Sequence, residues 1–246
     1  MTQPEKLVVC GDSFNSISEQ LTSDSLSTYA NTHWSEIISQ RLGYDLTNFA
    51  CPGSSNTLIV LQILEAIEKQ PNLIIVGWSA GHGTRLEYFI KDNDKVSATS
   101  LGDFKYDHRS HPYLKSNKRH TEAALSSSLL DMPHKKLSEE LAMVLPFNLM
   151  GKKDEWIIMY ALTKLVKSGI PFLVFERPPS WPDDWPSPFT DEMLEYCSRG
   201  NIILKSDFDP YIYQAGHSGA PCYHTSLDSQ ILIADYLEQR IKEYKL

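Results

Sequence analysis

The sequence predicts an α/β fold, a parallel sheet of about five strands between helices. Short apolar runs alternate along the chain with stretches whose apolar residues recur at helical spacing. The run NLIIVGW (72–78) is apolar on both faces, as a central parallel strand covered by helices must be. Gly or Pro stands where most helical stretches should stop. The 246 residues are 41% hydrophobic and 11% aromatic, enough material for a sizeable core. The expectation is a single domain over 1–246 with an insertion at 88–150.

Taken in order, KLVVC (6–10) is a short buried strand. HWSEIISQRLG (33–43) places Trp34, Ile37, Ile38 and Leu42 on one helix face, and Gly43 ends it. DLTNFA (45–50) is the second strand. NTLIVLQILEAIEKQ (56–70) is a helix with Asn56 as N-cap and Pro71 beyond its end. After the third strand at 72–78 the rhythm breaks and then resumes. EWIIMYALTKLVKSG (155–169) is a helix ending at Gly169, and IPFLVFE (170–176) is the fourth strand. TDEMLEYCSRG (190–200) is a helix with Thr190 as N-cap, acidic residues in its first turn and Gly200 as C-cap. NIILK (201–205) is the fifth strand. The terminal helix spans 226–246, with Ser226 as a candidate N-cap. Such alternation implies right-handed βαβ units.

Residues 91–120 are polar and turn-rich, and two helices are expected near 119–130 and 134–145. An insertion of this kind is a lid or an interaction surface, or is in part disordered. A second loop, PPSWPDDWPSP (178–188), is stiffened by prolines. Its Trp181 and Trp185 make either a rigid aromatic flap beside a pocket or a hydrophobic plug on the surface.

Net charge is −8 and no basic patch runs along the chain, which argues against nucleic acid as a partner. No apolar stretch approaches the ~20 residues needed to cross a bilayer. Pro4, Glu5 and Lys6 before a short apolar run do not make a secretory leader. The expected location is the cytoplasm, with association with a virion left open. The four cysteines, Cys10, Cys51, Cys197 and Cys222, form no CxxC pair and read as free thiols rather than a zinc site. His82 has no partner at ligand spacing and reads as a loop residue. Neither GxGxxG nor GxxxxGK[ST] occurs, which argues against a nucleotide binder.

Ligands of an open parallel sheet bind at the carboxyl ends of its strands. The residues there are Asp12-Ser13-Phe14-Asn15, then Cys51 to Asn56, then Ser79-Ala80-Gly81-His82, then Arg177, and last the segment 206–226 with His217 and His224. ACPGSSN is a glycine turn running into a helix N-terminus, whose free N–H groups suit an anion or an oxyanion. A serine after the first strand, amide donors after the second and a histidine before the last helix form an acyl-transfer set. Taken singly, Ser13 also reads as a turn serine, Gly53 as a helix-start turn and His224 as a residue beside a cap. Arg85 either pairs with Glu87 to brace its loop, the favoured reading, or faces the pocket and binds an acidic substrate group.

Gly11-Asp12-Ser13-Phe14 resembles the first block of the SGNH (GDSL-type) hydrolases. Asn48 to Asn56 resembles their second block, whose glycine donates an oxyanion-hole amide. His224-Thr225-Ser226 before the terminal helix resembles the last, which carries the catalytic histidine. With Gly77-Trp78-Ser79 and the later Arg85 and Glu87, the pattern is also similar to small SGNH-like proteins of tailed phages and bacteria. The resemblance covers the chain apart from 88–150. It implies a flavodoxin-like three-layer fold and a serine esterase or deacetylase acting on small acyl esters, such as O-acetyl groups on carbohydrate. It implies Ser13 as nucleophile, His224 as base, and an oxyanion hole of the Ser13 and Gly53 amides with Ser79, Asn56 or Asn15. Neither a metal nor an organic cofactor is expected. Asp12, Trp78, Arg85, Trp181 and Trp185 are candidate substrate-binding residues.

Two positions depart from the family pattern. Ser79 stands where the third block has asparagine, and Pro221 where the last block has aspartate. Asp207, Asp209 or Asp228 can supply the third triad member, or a backbone carbonyl can serve a Ser–His dyad. The alternative reading is a catalytically degenerate binding or structural module that uses 88–150 as its interface. The sequence carries no signature of an oligomeric state.

Overall fold

The structure is a computed structural model. It describes residues 4–12, 15–17, 33–50, 54–78, 86–92, 95–101, 147–176, 187, 189–197, 201–204 and 227–246, with backbone alone at 86–92, 95–101, 147–152 and 227. Five strands form one parallel sheet: β1 (Lys6–Cys10), β2 (Asp45–Asn48), β3 (Leu73–Trp78), β6 (Phe172–Glu176) and β7 (Ile202–Ile203). Their spatial order is β2-β1-β3-β6-β7. The helices are α1 (Trp34–Leu42), α2 (Asn56–Glu68), α3 (Phe147–Ser168), α4 (Asp191–Tyr196) and α5 (Leu227–Tyr244).

Strand periodicity sorts the core into two layers. Leu7 and Val9 of β1 face Trp34 and Ile38 of α1 and Ile233, Ala234, Leu237 and Ile241 of α5. Val8 and Cys10 point the other way, into a cluster with α2, α3 and α4. All six residues of β3 are buried, as its two-sided apolar pattern requires. Trp34 meets Phe175 edge to face, with ring centroids 5.6 Å apart, and tethers α1 to the sheet.

Helix ends carry their own chemistry. His33 caps α1: its ring nitrogen accepts from the Ser35 amide, and Glu36 reaches back to the His33 amide. The chain stops α1 at Gly43, φ 74°. Thr190 caps α4 as the sequence predicts, but that helix ends at Tyr196 rather than at Gly200. The N-cap of α2 is Ser55, one residue before the expected Asn56, and its Oγ accepts from the Leu58 amide.

Two larger differences lie in the polar middle of the chain. Strands β4 (Leu86–Asp92) and β5 (Lys95–Leu101) pair antiparallel as a separate hairpin, where turn-rich chain is expected from residue 91 on. Ser97, Thr99 and Ser100 hide its alternation beneath a polar composition. Helix α3 starts at Phe147, eight residues before the expected Glu155, because Gly151 and three charged residues interrupt the apolar pattern without ending the helix. The helices expected near 119–130 and 134–145, and Ser226, lie outside the described residues. Cys10 and Cys197 are free and buried; Cys51 and Cys222 lie outside.

Candidate active site

Strand order reverses between β1 and β3, so the carboxyl ends of these two strands flank the topological switch point where a doubly wound sheet binds its ligand. Gly11, Asp12, Asn15 and Ser16 follow β1 there, and Gly77 and Trp78 end β3. Asp12, Asn15 and Ser16 are buried, so this edge is a folded polar network rather than loose loop.

Asn15 is its centre. Its Nδ2 donates to Asp12 Oδ1 at 3.2 Å and to the Gly77 carbonyl at 3.3 Å. Its backbone N–H donates to the Asp12 carbonyl at 3.0 Å, so one hydrogen bond spans positions 13 and 14. Its own carbonyl accepts from Asn48 Nδ2, 2.8 Å, at the end of β2. A Cβ built on Gly11 would stand 2.7 Å from Asn15 Cβ, and one on Gly77 2.3 Å from Asn15 Oδ1. Both positions therefore need glycine for close approach. Asn15 Oδ1 is buried and has no hydrogen-bond partner among the described residues.

Gln62, on the second turn of α2, holds the other side of the turn. Its Oε1 accepts from the Gly11 amide at 2.7 Å, and its Nε2 donates to the Gly11 carbonyl at 3.2 Å and to Ser54 Oγ at 3.1 Å. Ser55 and Asn56, where α2 begins, are buried. Asn56 Nδ2 donates to Asp154 Oδ2 of α3 at 3.1 Å, while Asn56 Oδ1 has no partner among the described residues. Lys153 Nζ lies 3.8 Å from Asp154 Oδ1.

Of the other candidates, Trp78 is fully buried in the cluster of α2, α3 and α4, and its Nε1 has no partner among the described residues. Asp228 is exposed on the first turn of α5. The next residues of that turn are buried, and Gln230 Oε1 accepts from the Trp34 amide at 2.8 Å. The start of α5 is thereby joined to the start of α1. Ser13, Gly53, Ser79, Arg85, Trp181, Trp185, Asp209 and His224 lie outside the described residues.

Three residues escape the sequence reading. Gln62 looks like one polar residue on a helix, and Asp154 falls before the expected helix start. Glu176 carries the one available signal, a carboxylate closing an apolar strand. It is buried at the tip of β6, opposite Trp78 in register, and accepts from Ser187 Oγ at 3.1 Å.

Burial, and secondarily the charge of Glu65, pushes the Cys10 thiol far above its ordinary range, so Cys10 does not supply a thiolate beside Ser13. Among the described residues no three His, Cys, Asp or Glu gather where they could hold a metal. No helix among them is long and apolar enough to cross a membrane.

No protein-family model matches the chain, and no curated protein matches it in sequence. Solved structures do match in fold. The crystal structure of TesA is 15% identical, with a TM-score of 0.51, covering 97% of this chain and 99% of that one. The psychrotrophic esterase EstA from Pseudoalteromonas sp., inhibited by monoethylphosphonate, is 11% identical with a TM-score of 0.51, covering 98% of each chain. A carbohydrate esterase whose active site displays divergent catalytic and non-catalytic binding functions is 11% identical with a TM-score of 0.52, covering 98% of this chain and 70% of that one. With its five parallel strands between helices and its β1/β3 switch point, the chain has the three-layer α/β fold of the SGNH-type hydrolases.

Proposed function

We propose that the protein is a serine hydrolase of small acyl esters, with O-acetyl groups on carbohydrate as the favoured substrate class. The supporting observation is the position and bracing of the Asp12–Asn15 turn. It sits at the switch point of the sheet, with Gln62 bound to its first flank and Asn15 wedged at its second. A nucleophile at residue 13 needs such a rigid frame.

In this reading His224 takes the hydroxyl proton of Ser13 as Ser13 Oγ attacks the ester carbonyl. The negative charge on the carbonyl oxygen is met by the amides of Ser13 and Gly53, with Ser79 or Asn56 as a further donor. The C–O bond then breaks and the alcohol leaves with the proton from His224. Water, deprotonated by His224, attacks the acyl-enzyme, the bond to Ser13 Oγ breaks as His224 returns the proton to it, and the carboxylic acid is released. Asp209 or Asp228 orients His224, or a backbone carbonyl does. Trp181 and Trp185 form either an aromatic flap against the substrate or a surface plug. Arg85 either braces its loop through Glu87, the favoured role, or binds an acidic substrate group. The 88–150 insertion is a lid or interface within a single domain. No metal or organic cofactor takes part.

The test is p-nitrophenyl acetate hydrolysis by the wild type beside Ser13→Ala and His224→Ala. Loss of activity in both variants, with unchanged folding, is the expected result. Undiminished activity in Ser13→Ala refutes the mechanism.

One observation favours a non-catalytic binding module instead. The Asn56 amide is committed to Asp154 rather than aimed outward, at a position from which an oxyanion donor is wanted. A wild type that binds acetylated sugars without cleaving them would establish that reading.

A further inference from the structure

We propose that Asn15 is a positioning residue, one that locks the nucleophile turn onto the tip of β3 and so sets Ser13 against the chain that leaves Gly77 and Trp78 toward Ser79. The proposal rests on the reading of Ser13 as nucleophile.

The argument begins with space. The Asn15 side chain fills a slot walled by Gly11 just beyond β1 and Gly77 on β3, too narrow for a Cβ on either wall. The amide plane is thus pinned between the ends of adjacent strands, with only 1% of the residue exposed. Hydrogen bonding fixes its direction. Nδ2 is shared between Asp12 Oδ1 within the turn and the Gly77 carbonyl beyond it, while the Asn15 backbone is tied to Asp12 and to Asn48. Residue 13 is enclosed between Asp12 and Asn15, and Ser79 stands two residues beyond Gly77. One amide therefore ties the flanks of a nucleophile and an oxyanion donor to each other.

The slot also discriminates among side chains. Aspartate would bring a second carboxylate against Asp12 Oδ1 and the Gly77 carbonyl, and glutamine is a methylene too long. Alanine would fit and would bury no side-chain acceptor. Asn15 Oδ1 is buried and has no partner among the described residues. The amide joins the two strand tips through Asp12 and Gly77.

The experiment compares Asn15→Ala, Gly77→Ala and the double variant with the wild type and Ser13→Ala. The readouts are kcat and KM for p-nitrophenyl acetate, the rate of Ser13 labelling by a fluorophosphonate, urea unfolding, and amide exchange in peptides covering 8–16 and 73–78. Asn15→Ala is expected to lower kcat and the labelling rate by about 10–100-fold, the effect of a small misplacement of a reacting group. KM should stay within about twofold, because substrate contacts are untouched. Exchange should rise at both strand tips. Gly77→Ala should lose stability and activity, since its methyl displaces the amide.

In the double variant that methyl occupies vacated space, so stability returns relative to Gly77→Ala while kcat stays low. Recovery of kcat together with stability would show that Asn15 only fills space, and would overturn the proposal. So would wild-type kcat and labelling in Asn15→Ala. If Ser13→Ala hydrolyses the ester as fast as the wild type, the nucleophile assignment fails by itself. Amide exchange then decides about Asn15, and unchanged exchange in 73–78 overturns its role. If Asn15→Ala does not fold, Asn15→Ser, which keeps a donor, is put to the same readouts, with an intermediate kcat expected and a wild-type kcat overturning the proposal.

Discussion

Gln62 and Gly11 form a two-point amide pair. The side chain accepts from the Gly11 N–H at 2.7 Å and donates to the Gly11 carbonyl at 3.2 Å, across 51 residues of sequence. Strand pairing ends at Cys10, so these two backbone groups have left the ladder, and Gln62 satisfies both from α2.

Gln62→Ala should therefore destabilise the fold by about 1–3 kcal/mol, the desolvation of a backbone donor and acceptor left without partners. Urea unfolding checks this, with the midpoint falling and the slope unchanged. Gln62→Leu, of nearly equal volume, should lose about as much as the alanine variant. A loss confined to the alanine variant would mean that packing rather than hydrogen bonding carries the effect.

Asn56 and Asp154 join the first turn of α2 to α3, with both residues nearly excluded from solvent. A hydrogen bond to a charged group contributes about 1.5–3 kcal/mol, and its removal leaves a buried carboxylate short of a partner. Asn56→Ala should destabilise by about that amount, Asp154→Ala by a similar amount, and the double variant by less than their sum. Coupling below about 0.5 kcal/mol in such a cycle would show that the pair is incidental.

The fold was legible where periodicity was strong, and Asp12 and Asn15 stand just beyond β1 as the sequence places them. NLIIVGW predicted a buried central strand because a parallel strand covered on both faces has no polar side. The hairpin β4–β5 was not legible, since Ser and Thr are good strand residues but read as loop composition. Asn15 was visible as a candidate amide donor, yet its slot was not, because the slot exists only once β1 and β3 lie side by side. Gln62 and Asp154 were hidden for the same reason: their partners are 51 and 98 residues away. Local pattern encodes which face is apolar, and pairing across the sheet decides which polar group meets which.

On the outer surface Arg41 of α1 bonds Asp235 at 2.5 Å and Glu238 at 3.0 Å, and Lys242 bonds Glu238 at 2.5 Å. The hydrogen bond from Lys242, with help from Arg41, lowers the Glu238 pKa against a smaller opposing effect of burial. A carboxyl depressed in the folded state stabilises above its unfolded pKa of about 4.3, and that contribution is lost as pH falls through the folded value. Glu238→Gln should thus cost under about 1 kcal/mol at pH 7, shrinking toward zero in acid and in high salt. Urea titrations at several pH values check it, and a difference that grows toward acid would contradict the sign.

Cys10 and Cys197 should resist modification in the folded protein. Burial pushes the Cys197 thiol up to about 11 and Cys10 higher still. At pH 8 a thiol of pKa about 11 is only about 0.1% thiolate, and the thiolate is the reactive form. Both side chains are also closed to reagent, at 2% and 0% exposure. Iodoacetamide treatment at pH 8 followed by peptide mass spectrometry should leave the peptides holding Cys10 and Cys197 unmodified, and full labelling should follow in denaturant. Because Cys10 adjoins Gly11, its rate of labelling also reports opening of the β1 tip. Asn15→Ala and Gln62→Ala should each speed it, and Glu238→Gln should not.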